Sequence, residues 1–264
     1  MSEKVLYLDK EEIFQGNLIL VNRDFPLRRR EREEAQSLAP IHDEYPKILM
    51  DARAAVKMKD LLREISGENS IVPVSGYRSA REQTQIYEDS EKENGEEFTK
   101  KYVALPYCSE HQTGLAMDLG LKKDDIDFIC PEFPYEGICQ TFREKAAEFG
   151  FTQRYLEGKE EITGISPEPW HFRYVGEPHA GIMRENHMVL EEYVSFLRDF
   201  RRENPYVFQD DKDGGRADGG SIEIFFVPAE PGAYTELRLA PYRACEISGN
   251  NSDGFFVTVW REQE

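Results

Sequence analysis

The sequence predicts an α+β fold, a larger mixed domain (residues 1–203) followed by a linker and a small β appendage (204–264). Several stretches repeat apolar residues at helical spacing, and short β-branched or alternating runs lie between them. Beyond residue 204 the composition turns to Asp and Gly, and then only short β-like runs remain.

In chain order, Tyr45 to Ile65 places Ile48, Ala52, Ala55, Met58, Leu62 and Ile65 on one helical face, with Gly67 as a stop. Ile71 to Val74 reads as a short strand that Ser75-Gly76 turns out of. A polar, acid-rich helix is expected from Ser79 to about Lys92. Gly114 to Leu121 alternates as a half-buried strand does, and Thr141 to Phe149 reads as a helix closed by Gly150. Trp170 to Val175 is expected as a strand, and Ala180 to Phe200 as one long amphipathic helix. Asn204 to Gly220, with Asp213-Gly214-Gly215 and Asp218-Gly219-Gly220, reads as a linker. Four β-like runs follow: Ser221–Val227, Tyr234–Leu239, Arg243–Ser248 and Phe255–Trp260. The stretch from Gly249 to Gly254 is a hairpin signal between the last two.

Composition narrows the function. A net charge of -18 repels nucleic acid and anionic lipid through the average field, which argues against both as partners. No run of about 18 apolar residues occurs, and the first residues lack a basic start and an unbroken apolar stretch. Both features lead us to expect a cytoplasmic protein without membrane insertion. Cys108, Cys130, Cys139 and Cys245 form no CxxC pair, so free thiols are expected in preference to a Cys130–Cys139 bridge.

Three motifs carry the chemistry. In Ser109-Glu110-His111-Gln112-Thr113-Gly114-Leu115-Ala116-Met117-Asp118, the small residues at 114 and 116 share a strand face with Asp118 and leave room beside its carboxylate. His111 lies just upstream, where a bend turns its ring toward the same point. Glu168-Pro169-Trp170-His171 is no helical HExxH site, because Pro167 and Pro169 exclude a helix interior. A proline-bent start to the strand would aim Glu168 and His171 into one cleft. His111, Asp118 and His171 then form a two-histidine, one-carboxylate set with a fourth position open to water, and Glu168 is free to act as a base. Ser75-Gly76-Tyr77-Arg78-Ser79 offers the Arg78 guanidinium to a substrate carbonyl or carboxylate. His42, His179 and His187 lack such company and read as structural residues.

SGYRS, SEHQTGLAMD and EPWH, in that order, resemble the zinc D-alanyl-D-alanine carboxypeptidases and dipeptidases of the VanY, VanX and VanXY type. The similarity spans residues 15–200, and the soluble VanXY type is the nearest match. The resemblance implies a hedgehog-like fold, with a small antiparallel sheet flanked by helices. It also implies one zinc per chain on His111, Asp118 and His171, Glu168 as catalytic base, and Arg78 stabilising the transition state. Ser109, and more weakly Gln83, match residues that contact the substrate. The implied substrates are D-Ala-D-Ala-terminated cell-wall peptides, whose trimming removes the target of glycopeptide antibiotics. Two other readings are an endolysin-like L-Ala-D-Glu peptidase and a zinc-stabilised binding module without catalysis.

Overall fold

Side-chain alternation decides how this chain folds, because its central strands bury both faces, one apolar and the other charged. The computed structural model describes residues 3–28, 37–209 and 221–261; most of the 204–220 linker expectation falls outside them. In chain order the elements begin with β1 (Lys4–Asp9), β2 (Leu38–Pro40), β3 (Leu49–Asp51), α1 (Ala52–Glu64) and β4 (Ile71–Ser75). There follow α2 (Ala80–Asn94), α3 (Glu96–Tyr102), β5 (Ala116–Leu121), α4 (Gly137–Lys145), β6 (Phe151–Tyr155), α5 (Glu160–Thr163) and β7 (Glu168–Tyr174). The chain continues through α6 (His179–Glu185), α7 (Leu190–Leu197), β8 (Tyr206–Phe208), β9 (Ile222–Pro228), β10 (Tyr234–Leu239), β11 (Ala244–Gly249) and β12 (Gly254–Trp260).

Contacts divide the chain into one unit of residues 21–189 and another made of 1–20 together with 190–264. The boundary thus differs from the one expected near 204. The second unit recruits the N-terminus: β1 pairs antiparallel with β10, from Lys4↔Leu239 to Asp9↔Tyr234. The Leu18 amide donates to Ser248 Oγ at 2.8 Å. Such pairings across more than 220 residues leave no local trace in the sequence. The unit's other sheet runs β11-β12-β9-β8, with the expected hairpin joining β11 and β12. Phe225, Phe255, Val257 and Val259 fill its core with Leu8, Ile13, Leu237 and Leu239. The single helix expected over 180–200 is two, α6 and α7, because the intervening His187 takes φ 52 and ends the helical path.

In the 21–189 unit the sheet order is β4-β5-β7-β6, antiparallel throughout. Met117, Leu119, Phe151 and Phe172 belong to the apolar core, which α1 supplies with Ala54, Met58, Leu61 and Leu62 and α4 with Cys139 and Phe142. Asp118 and His171 alternate with these residues, so they project from the opposite face. Helix α1 starts at Ala52, later than Tyr45, because Asp51 caps it by accepting from the Arg53 and Ala54 amides. Strand β4 carries Pro73, which has no N–H for a ladder, and its place at the sheet edge tolerates that.

Two local devices set the ends of β4 and β5. Ser79 caps α2 in a capping box, with the Ser79 hydroxyl accepting from the Glu82 amide and the Glu82 carboxylate accepting from the Ser79 amide. Gly114 adopts φ 72 after the turn Glu110–Thr113, so β5 begins at Ala116 and not at Gly114. At Gly76 a Cβ would fall 2.1 Å from the Leu49 carbonyl oxygen, which the Tyr77 amide also holds, at 2.6 Å. Gly76→Ala should therefore lower stability by about 1–3 kcal/mol, because main chain must move to admit the methyl. Ser79→Ala should remove about 1 kcal/mol by losing the cap. Urea unfolding of both variants checks this, and a Gly76→Ala protein as stable as wild type would contradict the close approach.

Candidate active site

The register across three strands assembles the site. Ser75 on β4 lies opposite Asp118 on β5, and Asp118 lies opposite His171 on β7, so the latter two side chains share a face at cross-strand distance. Glu168 is three residues before His171 and would face away in a regular strand. It does not, because the pairing of β6 with β7 shifts between Gln153↔Phe172 and Tyr155↔Glu168, where β7 carries extra residues. That irregularity turns Glu168 inward until its Oε2 lies 3.5 Å from His171 Nδ1.

His111 arrives from the turn before β5. Its Nδ1 lies 2.7 Å from the Gly76 carbonyl oxygen, an acceptor, so Nδ1 carries the proton and Nε2 the lone pair. Nε2 stands 3.1 Å from Asp118 Oδ2, and His171 Nδ1 stands 2.9 Å from Asp118 Oδ1. All three side chains are buried, and one donor atom from each lies within 4.8 Å of the others. His111 Nε2 and Asp118 Oδ1 have no hydrogen-bond partner in the protein. Buried polar atoms left this way signal a missing partner. Zinc with bonds of about 2.0–2.1 Å in tetrahedral geometry separates its ligand atoms by about 3.3 Å, close to what these residues present. The set therefore fits a divalent metal.

Around it, the structure places every site residue expected from the sequence in one pocket: Arg78, Gln83, Ser109, His111, Asp118, Glu168 and His171. Arg78 extends Nη2 to 3.6 Å from Asp118 Oδ2, and its buried Nε has no partner. Gln83 donates from Nε2 to the Ala104 carbonyl at 2.7 Å, which leaves its buried Oε1 without a hydrogen-bond partner. Ser109 is buried at the pocket wall and makes no capping hydrogen bond with its side chain. Three residues of the surroundings escaped the sequence reading. Glu110, Arg154 and Arg173 are all buried, with Arg154 Nε donating to Glu110 Oε1 at 2.8 Å and Arg173 Nη1 2.9 Å from that same oxygen. A fully buried arginine leaves no mark in composition, although the alternation of β6 and β7 does place both on the charged face.

Burial and neighbouring charge divide the protonation states. Burial pushes the His111 ring down to about 4, helped by the positive Arg78, so it is neutral near pH 7. For His171 burial acts the same way, but Asp118 outweighs it and raises the ring to about 9. Asp118 stays well below the ordinary carboxylate range despite burial, because both histidines favour its anion. Burial lifts Glu168 to about 8, with His171 and Arg78 opposing and Asp118 and Glu110 reinforcing the rise. A carboxyl poised there can both take and return a proton near neutral pH.

Comparison with known proteins places the chain in a family. The family model VanY, D-alanyl-D-alanine carboxypeptidase, matches residues 47–177. The bifunctional D-Ala-D-Ala dipeptidase and D-Ala-D-Ala carboxypeptidase VanXYC of Enterococcus gallinarum is 44% identical over 183 residues, which cover 69% of this chain and 95% of that protein. The vancomycin resistance D,D-dipeptidase VanXYg, solved in complex with a D-Ala-D-Ala phosphinate analog, matches with a TM-score of 0.92 and 52% identity. That match covers 99% of this chain and 100% of the other. A mutant of the vancomycin resistance D,D-pentapeptidase VanY, in complex with Zn(II), matches with a TM-score of 0.54 at 28% identity over 68% of this chain and 99% of that one. The chain belongs to the VanY family of D-alanyl-D-alanine carboxypeptidases.

Proposed function

We propose that this protein is a zinc peptidase that hydrolyses the terminal D-Ala-D-Ala bond of the dipeptide, of muramyl pentapeptide precursors, or of both. The observation that carries the reading is the convergence of His111, Asp118 and His171 beside a buried carboxyl, Glu168, that is not needed as a ligand. A purely structural metal site closes its fourth position and has no use for such a base. Likeness to the dipeptidase bound to a phosphinate analog supports the substrate class.

His111, Asp118 and His171 would hold one zinc ion per chain. Zinc held there would supply Lewis acidity toward the scissile carbonyl and toward water. Glu168 takes a proton from the attacking water and returns it to the departing amine. Arg78 aims its guanidinium at the charge that develops on the carbonyl oxygen. Ser109 and the free Oε1 of Gln83 hold the D-alanine end of the substrate. We place the reaction in the cytoplasm, in keeping with four free cysteines. Among the described residues no helix is long and apolar enough to cross a membrane. Trimming precursors in this way would withdraw the target of glycopeptide antibiotics.

Glu168→Gln should keep about one zinc per chain while turnover falls by about 100- to 10,000-fold. Arg78→Ala should also keep the metal and lower turnover by about 100- to 1,000-fold. His171→Ala should lose both. Free D-Ala released from dipeptide and from pentapeptide, alongside zinc content, decides the matter. A Glu168→Gln enzyme that keeps most of its activity would refute the assigned base, and equal metal loss in all three variants would favour the binding module.

Metal uptake should depend on pH with a definite sign. His171 titrates at about 9 in the metal-free protein, so below that pH its ring carries a proton that a ligand must shed. Zinc affinity should therefore rise about tenfold per pH unit between roughly pH 6 and 8. Chelator competition across that range measures it, and a flat profile would contradict the protonated ring.

A further inference from the structure

Glu110 takes no part in the reaction above, yet its side chain has 0% exposure and sits directly behind a metal-binding histidine. Its two oxygens face different partners. Oε1 receives Arg154 Nε at 2.8 Å and lies 2.9 Å from Arg173 Nη1. Oε2 is left over, 3.6 Å from His171 Nε2. Both of these last atoms are buried and have no hydrogen-bond partner. The other nitrogen of the ring, Nδ1, points the opposite way, 2.9 Å from Asp118 Oδ1. His111 has its outer nitrogen fixed by a main-chain carbonyl, that of Gly76, whereas His171 has Glu110 in the corresponding place.

We propose that Glu110 is a positioning residue whose Oε2 accepts the His171 Nε2–H and so leaves the Nδ1 lone pair for the metal, while Arg154 and Arg173 clamp Oε1. A slight tilt of the ring closes the 3.6 Å gap, and no other group competes for either atom. The arginines do more than neutralise a buried acid. By occupying one oxygen they stop the carboxylate from rotating and reserve the other oxygen for His171. Such outer partners fix both the tautomer and the orientation of a ligating imidazole. The inference rests on the proposed reading of His111, Asp118 and His171 as zinc ligands. The simpler alternative is that Glu110 only balances two buried guanidiniums and leaves the metal site unaffected.

Glu110→Gln separates the two. The amide oxygen must face the arginines, which are pure donors, so the amide NH2 faces His171 Nε2. Two donors cannot face each other, and the His171 proton is forced onto Nδ1, where it blocks the metal. Zinc affinity of the full-length variant, from chelator competition, should fall about 10- to 100-fold while circular dichroism shows it folded. A folded variant within threefold of wild-type affinity would overturn the proposal. Should the variant fail to fold, long-range 1H–15N spectra of the zinc-loaded wild-type rings decide. A proton on His171 Nε2 supports the proposal, and a proton on Nδ1 overturns it. A wild-type protein that takes up no zinc would sink the metal reading itself, and this inference with it.

Discussion

The pairing of Asp118 with His171 across β5 and β7 is the constraint on which the site depends. In an antiparallel pair, opposed residues share a face, and a slip of one residue sends every side chain to the other. Here such a slip would put Met117 and Phe172 among the charges and carry Asp118 into the apolar core. The register that buries Met117, Leu119, Phe151 and Phe172 under α1 and α4 is therefore the same one that holds the Asp118 and His171 side chains together. Fold stability and site geometry are one requirement, enforced from the apolar side of the sheet.

The charged face of the sheet is as secluded as the apolar one. Glu110, Arg154, Arg173, Asp118, Glu168 and both histidines are buried within a few ångströms of one another. Removing such groups from water is expensive unless they pair closely, and a carboxylate shared by two guanidiniums meets that need. The return is functional. With water excluded, each charge acts strongly on its neighbours, which is why Glu168 titrates near 8 while Asp118 stays ionised. Two carboxyls on neighbouring strands thereby differ in protonation, Asp118 held as the anion and Glu168 raised toward the neutral acid.

Irregular backbone supplies what regular strands withhold. The shifted pairing at β6 and β7 rotates Glu168 onto the same side as His171. The main-chain carbonyl of Gly76, on a residue that has no room for a Cβ, fixes the His111 ring. Gly114 in its left-handed conformation turns the chain from the histidine's turn into β5. Each departure from ideal geometry lies within a few residues of a side chain in the pocket.

The sequence by itself determined the mixed fold class, the strands around Val74, Asp118 and His171, and the motif residues Arg78, His111, Asp118, Glu168 and His171, because these rest on local properties. Ser109 and Gln83 came only from the family resemblance. Periodicity reports which face is apolar, Ser79 and Gly150 mark helix ends, and SEHQTGLAMD with EPWH keeps donor types at fixed spacing. Only the tertiary structure decided the rest. The pairing of β1 with β10 and the division of the chain at residues 20 and 190 depend on partners more than 200 residues apart. The break at His187 between α6 and α7 rests on one backbone angle that the apolar pattern of 180–200 does not reveal. Glu110, Arg154 and Arg173 look like surface charges in a chain this polar, and only their packing behind His171 distinguishes them. The physical reason is the same in each case: local patterns fix which way a side chain points, but what it meets there depends on segments brought up from elsewhere in the chain.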